Sequence, residues 1–293
     1  MRFQVTHSTI YRYEGPVYLE PQTLRLRPRE DGTQRLRRYA LEISPAPGGR
    51  SECLDQDGNA VVEAWFDRPV EELKLTSSFD VETLRENPFD FVLADSRADA
   101  LPFAYSGPVG AELAPCLESA PETGVVRDLA RTVVDAAGGQ TLAFLTTLNR
   151  TLYENFAHVV RENGPPHPPD LTARSKEGSC RDLALLFCAA SRSMGIAARF
   201  VSGYEMGASM TEQADMHAWA EVYLPGGGWR GYDPSQGLAV AGTHVAVAAS
   251  ADPRLAAPLS GRYRGSARSK MEFAISMQVA GDAPPGLHFE AAQ

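Results

Sequence analysis

From Met1 to about residue 104, apolar and polar residues alternate in short runs, "FQVTHSTIYRY" and "ELKLTSSFDV" among them. Turn signals such as Asp57-Gly58-Asn59 separate the runs. A period of two places successive side chains on opposite faces of an extended chain, so the pattern predicts a β-rich first domain, sandwich or barrel, over residues 1–105. Between Phe103 and Pro121 the chain is rich in Pro, Gly and Ala and has no periodicity, which predicts a linker at 106–120. Helical spacing then takes over. In "TGVVRDLARTVVDAAGG", Val126, Leu129, Val133 and Ala137 share one face, and Gly138-Gly139 ends the helix. A second helix runs from about Thr141 to Phe156, with Leu145, Leu148, Leu152 and Phe156 at core spacing. The stretch "ENGPPHPPDLTARSKEGS" is too rich in proline for helix or strand, and a loop of that length predicts a cleft wall.

"EGSCRDLALLFCAASRSM" reads as a third helix, and "AARFVSGYEM", "MHAWAEVYLP" and "GWRGYDP" read as strands of an antiparallel sheet. This core is expected over 121–241. An extension at 242–293 ends in "MEFAISMQV", where Met271, Phe273, Ile275, Met277 and Val279 alternate strictly. That strand is expected to help complete a sheet, and it could pair across a homodimer as readily as within the chain.

Composition narrows the function. With 37 acidic against 28 basic side chains and a net charge of -9, the chain is not expected to bind nucleic acid. The local run "LRLRPREDGTQRLRR" alternates at strand period, and its arginines read as a solvated strand face rather than an anion site. "DQDGN" suggests a calcium loop, but Phe66 stands where the twelfth-position glutamate would be, which favours a plain turn. The N-terminus alternates like a strand rather than a signal peptide, and no run of about eighteen apolar residues occurs to span a bilayer. Four cysteines without close-set pairing point to a reducing, cytoplasmic setting.

One of the four cysteines is placed for chemistry. Ser179 followed by Asp182 makes an approximate capping box, which puts Cys180 in the first helical position. There the unpaired N–H groups and the helix dipole favour a thiolate. Cys188 lies two turns along, without that field, and reads as a packing residue. A thiolate needs a base, and the base needs an orienting group. His217 shares a strand face with Trp219, Glu221 and Tyr223, and the chain then turns back towards Asp233.

Whether Asp233 reaches His217 depends on register. A two-residue turn at Gly226-Gly227 puts Asp233 opposite Ala218, facing away from the histidine. A three-residue Pro225-Gly226-Gly227 loop pairs Leu224 with Gly228, sets Asp233 opposite Trp219 and brings it onto the face of His217. The diagonal separation there is roughly 7–8 Å. The glycine-rich turn suits the second geometry. Trp219 fits either a cleft wall or the core. A metal site built from Cys180, His217 and Asp233, and a non-catalytic scaffold in which the β-domain binds a partner, are the competing readings.

The motifs also carry a resemblance. "GSCRDLALLFCAASRSMGIAARFVSGY", "DMHAWAEVYLPGGGW" and "GYDPSQG" resemble, in order and spacing, the cysteine, histidine and aspartate motifs of bacterial transglutaminase-like proteins, members of the papain-like thiol superfamily. Residues 1–81 resemble, more weakly, the β-rich region that precedes such cores. The resemblance implies an α+β fold in which a β-rich N-terminal domain precedes a core with the cysteine helix packed on an antiparallel sheet. It implies Cys180 as nucleophile, His217 as base and acid, Asp233 as orienter, and no cofactor. The implied activity is cysteine-dependent acyl transfer on an amide carbonyl of a protein or peptide, hydrolytic as in a cysteine peptidase or amidase, with transamidation as the alternative. Tyr153 and Asn155 are the candidates for a second oxyanion donor, and Tyr153 and Trp219 for the substrate cleft. Arg181 and His244 match family positions without an evident mechanism.

Overall fold

The computed structural model describes residues 1–118, 124–161, 164–206 and 216–280. The first alternating run becomes β1 (Arg2–Leu19), an 18-residue strand whose Phe3, Val5 and His7 are buried while their neighbours are not. It is followed by β2 (Gln22–Leu24), β3 (Gln34–Ser44), β4 (Gly49–Leu54), β5 (Ala60–Trp65) and β6 (Val70–Thr83). Strands β1, β6 and β3 pair antiparallel in that order, and β5 lies between β2 and β4 in a second sheet. Val17, Leu19, Leu24, Leu26, Val62, Leu73 and Leu75 close a core between them.

The arginine run keeps the expected solvated face at Arg35, Arg37 and Arg38 but departs from it at its start. Arg25 is only 6% exposed, with its Nε 3.5 Å from Asp55 Oδ2, and Arg29 donates to Asn59 Oδ1 at 2.6 Å. Asp55 also accepts from the N–H groups of Asp57 and Asn59, so the "DQDGN" turn is closed on its own carboxylate.

The expected linker is not a plain connection. Residues 107–117 form two short helices, α1 (Gly107–Glu112) and α2 (Ala114–Leu117), which bury Leu113 and Cys116 against Ala197. Each has a proline in its first turn, where no helical N–H is lost. Positions 119 and 120, the end of that stretch, lie outside the described residues.

Helices α3 (Val125–Ala136) and α4 (Thr141–Asn155) follow, then β7 (Ala157–His158), α5 (Pro169–Ser175), β8 (Glu177–Gly178) and α6 (Cys180–Ser193). The proline-rich stretch is thus partly structured: α5 and the β7–β8 pairing lie inside or beside it. The core sheet runs β12 (Leu238–Ala239), β11 (Gly228–Asp233), β10 (Met216–Leu224), β9 (Ala198–Glu205), β13 (His244–Ser250), all antiparallel. Ala220, Val222 and Leu224 on β10 pack with Leu183, Leu186, Phe187 and Ala190 of α6 and with the apolar faces of α3 and α4.

The last strands return to the first domain. β14 (Leu259–Ser260) joins β2, β15 (Tyr263–Arg264) pairs the far end of β1, and β16 (Ser269–Val279) pairs β1 over eleven positions from Phe3↔Val279 to Tyr13↔Ser269. The alternating terminal strand is therefore paired within the chain. Phe3, Val5, Phe79, Val81, Ile275 and Met277 form one core with Tyr204, Met206, Val245 and Val247 of the central sheet, so the two regions share buried surface. The free edge of β13 is also covered. Ala246 N–H donates to Gln34 Oδ-equivalent oxygen Oε1 at 2.8 Å and its carbonyl accepts from Nε2 at 2.8 Å, while Ala249 makes the same pair of bonds with the Asn59 amide. Among the described residues no helix is long and apolar enough to cross a membrane.

Candidate active site

The capping box is present in full: Ser179 is the N-cap, and Asp182 Oδ2 accepts from Ser179 N–H at 2.8 Å and from its hydroxyl at 2.7 Å. Cys180 is thereby fixed as the first helical residue. Asp182 does more than cap. Its Oδ1 accepts from Arg161 Nη2 at 2.5 Å and from His167 N–H at 2.6 Å, tying the proline-rich loop to the cysteine helix. Gly178 is required here, since a Cβ would come within 2.8 Å of Asp182 Cβ.

The hairpin adopts the three-residue loop. Leu224 pairs with Gly228 and Ala220 with Tyr232, which sets Asp233 opposite Trp219. Gly226 and Gly228 take positive φ of 84° and 65°, which the turn demands and glycine permits. His217 Nε2 consequently lies 2.6 Å from Asp233 Oδ2. That leaves Nδ1 for the thiol. Asp233 is fully buried, and its other oxygen accepts from Ser235 N–H at 3.0 Å, Ser235 Oγ at 2.7 Å and Gln236 N–H at 3.2 Å.

The electrostatics follow from these contacts. Burial pushes the Cys180 thiol up, but hydrogen bonds with the imidazoles of His158 and His217, the charge of His217 and the N–H of Ala218 outweigh it and bring the thiol down to about 6. Burial opposes charge on His217 as well; its bonds to Asp233 and Cys180 prevail and raise it to about 10. Asp233, although buried, is held far below the usual carboxylate range by His217 and His244. Between about pH 6 and pH 10 the pair therefore rests as thiolate and imidazolium. Burial alone dominates Cys188, whose thiol is pushed up to about 12.

Several sequence candidates change role. Trp219 is 1% exposed, packed edge-on against His244 with ring centres 5.2 Å apart, so it backs the histidines. Tyr153 is 54% exposed and lies over Gly237, in the loop that follows Asp233, rather than beside the thiol. Asn155 turns back on its own helix, its Nδ2 donating to Thr151 O at 3.1 Å. The side chain that does meet the thiol from this part of the chain is His158, which sequence reading missed. It stands three residues past α4 in a strand too short for any periodicity to mark.

His244 gains a contact as well. Its Nε2 lies 3.1 Å from Asp233 Oδ2, and its Nδ1 lies 3.1 Å from Thr243 Oγ1. A carboxylate only accepts, so Nε2 carries a proton. Among the described residues the group able to hold a cation is His217, Asp233 and His244, with ligand atoms within 4.8 Å of one another, rather than the set containing Cys180. The donors already satisfy one another through hydrogen bonds.

Comparison with known proteins agrees with this arrangement. Residues 3–82 match the bacterial transglutaminase-like N-terminal region and residues 127–234 the transglutaminase-like superfamily. Uncharacterized proteins of Mycobacterium leprae and Mycobacterium tuberculosis are similar at 27% and 28% identity, each over 94% of this chain and over 98% and 92% of their own length. A protein-glutamine gamma-glutamyltransferase of Pseudomonas aeruginosa is 32% identical over 132 residues, 40% of this chain and 20% of that protein. The fold is shared with a Cytophaga hutchinsonii protein provisionally described as a cysteine protease, with TM-score 0.72 at 18% identity over 98% of this chain and 94% of the other. Both matches lie in order along one α+β chain, a bacterial transglutaminase-like N-terminal region at residues 3–82 preceding a transglutaminase-like core at residues 127–234.

Proposed function

We propose that the protein is a cysteine-dependent acyl transferase acting on amide carbonyls of a protein or peptide, with Cys180, His217 and Asp233 as its catalytic triad and hydrolysis as its usual outcome. The observation that carries this reading is the chain of contacts from Asp233 through His217 to a thiol at a helix start. The Cys180 thiolate attacks the carbonyl carbon, and the N–H groups at the start of α6 receive the developing oxyanion. The C–N bond breaks as His217 gives its proton to the leaving amine, which departs as ammonia or a free amino terminus. The remaining acyl group is a thioester on Cys180. Water, deprotonated by His217, then attacks that thioester and releases the acid and the thiol. Cys180 is partly exposed, so water can reach the intermediate, and this favours hydrolysis.

An amine in place of water would give transamidation. The partial match to a gamma-glutamyltransferase favours keeping this second reading. The experiment is a screen of glutamine-bearing peptides and a casein digest for release of ammonia or peptides, with and without a fluorescent primary amine, beside Cys180→Ala. Release that depends on Cys180 without amine uptake supports hydrolysis. Amine incorporation faster than release assigns transamidation. Equal background from both proteins rejects the enzymatic reading in favour of a scaffold.

A further inference from the structure

An acyl-transfer site at Cys180 gains from a side-chain donor beside the backbone N–H groups at the start of α6, since each preorganised donor aimed at the oxyanion stabilises the developing charge. Of the side chains just upstream, Tyr153 lies over Gly237 and Asn155 is bonded to its own helix, so neither faces the thiol. His158 does. Its backbone is fixed beside the helix start. β7 and β8 run parallel with His158 opposite Gly178, and the flanking bonds Ala157 N–H to Lys176 O and Val159 N–H to Gly178 O measure 2.8 and 3.0 Å. The ring thus approaches the thiol from the loop side, two residues ahead of Cys180, while His217 approaches from the sheet.

The two histidines are built for different work. His217 has a buried carboxylate to orient it and to stabilise its charged form. Among the described residues no carboxylate bonds His158, and the residue is exposed where substrate must enter. An imidazole so placed lacks the orienting partner that His217 has, and its N–H is left free to serve as a donor.

We propose, on the acyl-transfer reading above, that His158 is the side-chain donor of the oxyanion site: the imidazole N–H facing Sγ in the free protein turns onto the substrate oxygen once the S–C bond forms, sharing it with the backbone N–H groups at the start of α6. No bond to His158 is made or broken and no proton leaves it. The negative charge gained by the oxygen as its π bond opens is matched by the N–H, and is returned when the leaving group departs.

The test compares two reagents at the same thiol. p-Nitrophenyl acetate acylates Cys180 through a tetrahedral oxyanion, whereas iodoacetamide alkylates it by displacement at a saturated carbon, with no oxyanion. Both rates are read on the pH plateau of the parent protein, His158→Ala and His158→Gln, so that differences in thiol ionisation drop out. The expected result is a fall of roughly 10²–10³ in acylation for His158→Ala with alkylation unchanged within about threefold, and recovery of most of the loss in His158→Gln, which keeps an N–H donor. Equal losses in both reactions, or no loss in either, would overturn the role of His158. A parent protein that alkylates normally but is never acylated would instead overturn the acyl-transfer reading itself. His158 is exposed, so its replacement leaves the core intact.

Discussion

His217 and His244 bond the same oxygen of Asp233, at 2.6 Å and 3.1 Å, from neighbouring parts of one sheet. The carboxylate is thus held between a histidine that meets the thiol and one that does not. Charge at Asp233, together with that of the Cys180 thiolate, keeps His217 protonated. Asp233→Asn removes it, and the alkaline limb of the rate–pH profile, set near pH 10 by His217, is expected to move down by at least two pH units. Turnover of an ester or amide substrate should fall by roughly 10²–10⁴. Steady-state rates from pH 5 to 10.5 on both proteins check this, and an unmoved alkaline limb would contradict the coupling.

Cys180 should react where the buried Cys116 and Cys188 do not. With its thiol brought down to about 6, alkylation by iodoacetamide should rise with a midpoint near pH 6, while Cys188, buried with its thiol pushed up to about 12, stays unmodified in the native protein. His217→Ala removes a hydrogen bond and a positive charge from the thiol, so the midpoint should climb towards the ordinary thiol range of about 8.5. Peptide mass spectrometry of partially alkylated protein reads each cysteine separately.

Asp182 holds the cysteine helix and the proline-rich loop together through Ser179, His167 and Arg161. Asp182→Asn replaces an acceptor with an amide that points a donor at other donors. A loss of roughly 2–4 kcal/mol in unfolding free energy is expected. Urea denaturation measures the loss. Limited proteolysis should show new cleavage between residues 164 and 168, and unchanged protection there would refute the tie.

His7 provides an acid-sensitive point outside the candidate site. It is buried, with Nδ1 2.8 Å from Tyr204 Oη and Nε2 3.0 Å from Thr9 Oγ1, and burial lowers it from 6.5 to about 4. Below pH 6.5 the unfolded chain takes up a proton at this residue that the folded chain refuses, so stability declines as pH falls from 6.5 and the full loss is reached below about 4. The parent should lose roughly 2–3 kcal/mol more than His7→Gln over that window. Urea titrations at pH 7 and pH 4 compare them, and parallel losses would rule the group out.

Much of the site was legible because its determinants are local. The capping pair Ser179 and Asp182 is three residues apart, and the register that brings Asp233 to His217 depends on one short glycine loop. What escaped was set by contacts distant in sequence. His158 meets Cys180 only because a two-residue strand pairs parallel with Glu177-Gly178, and nothing around "FAH" marks such a strand. Arg25 reads as a surface charge until Asp55, thirty residues on, is folded against it. The helices at 107–117 could have been found: Pro108 and Pro115 stand where prolines favour a helix start, although turns this short carry no periodicity.

The amides of Gln34 and Asn59 on the edge of β13 bear on the candidate site itself. They act as a fragmentary sixth strand, donated by the N-terminal region to the core sheet. The strand they hold carries His244, which steadies Asp233, which in turn orients His217 towards Cys180. The β-rich region is therefore a part of the candidate site's scaffold rather than a separable neighbour. A core excised at residue 121 would keep Cys180, His217 and Asp233 yet lose the brace behind them.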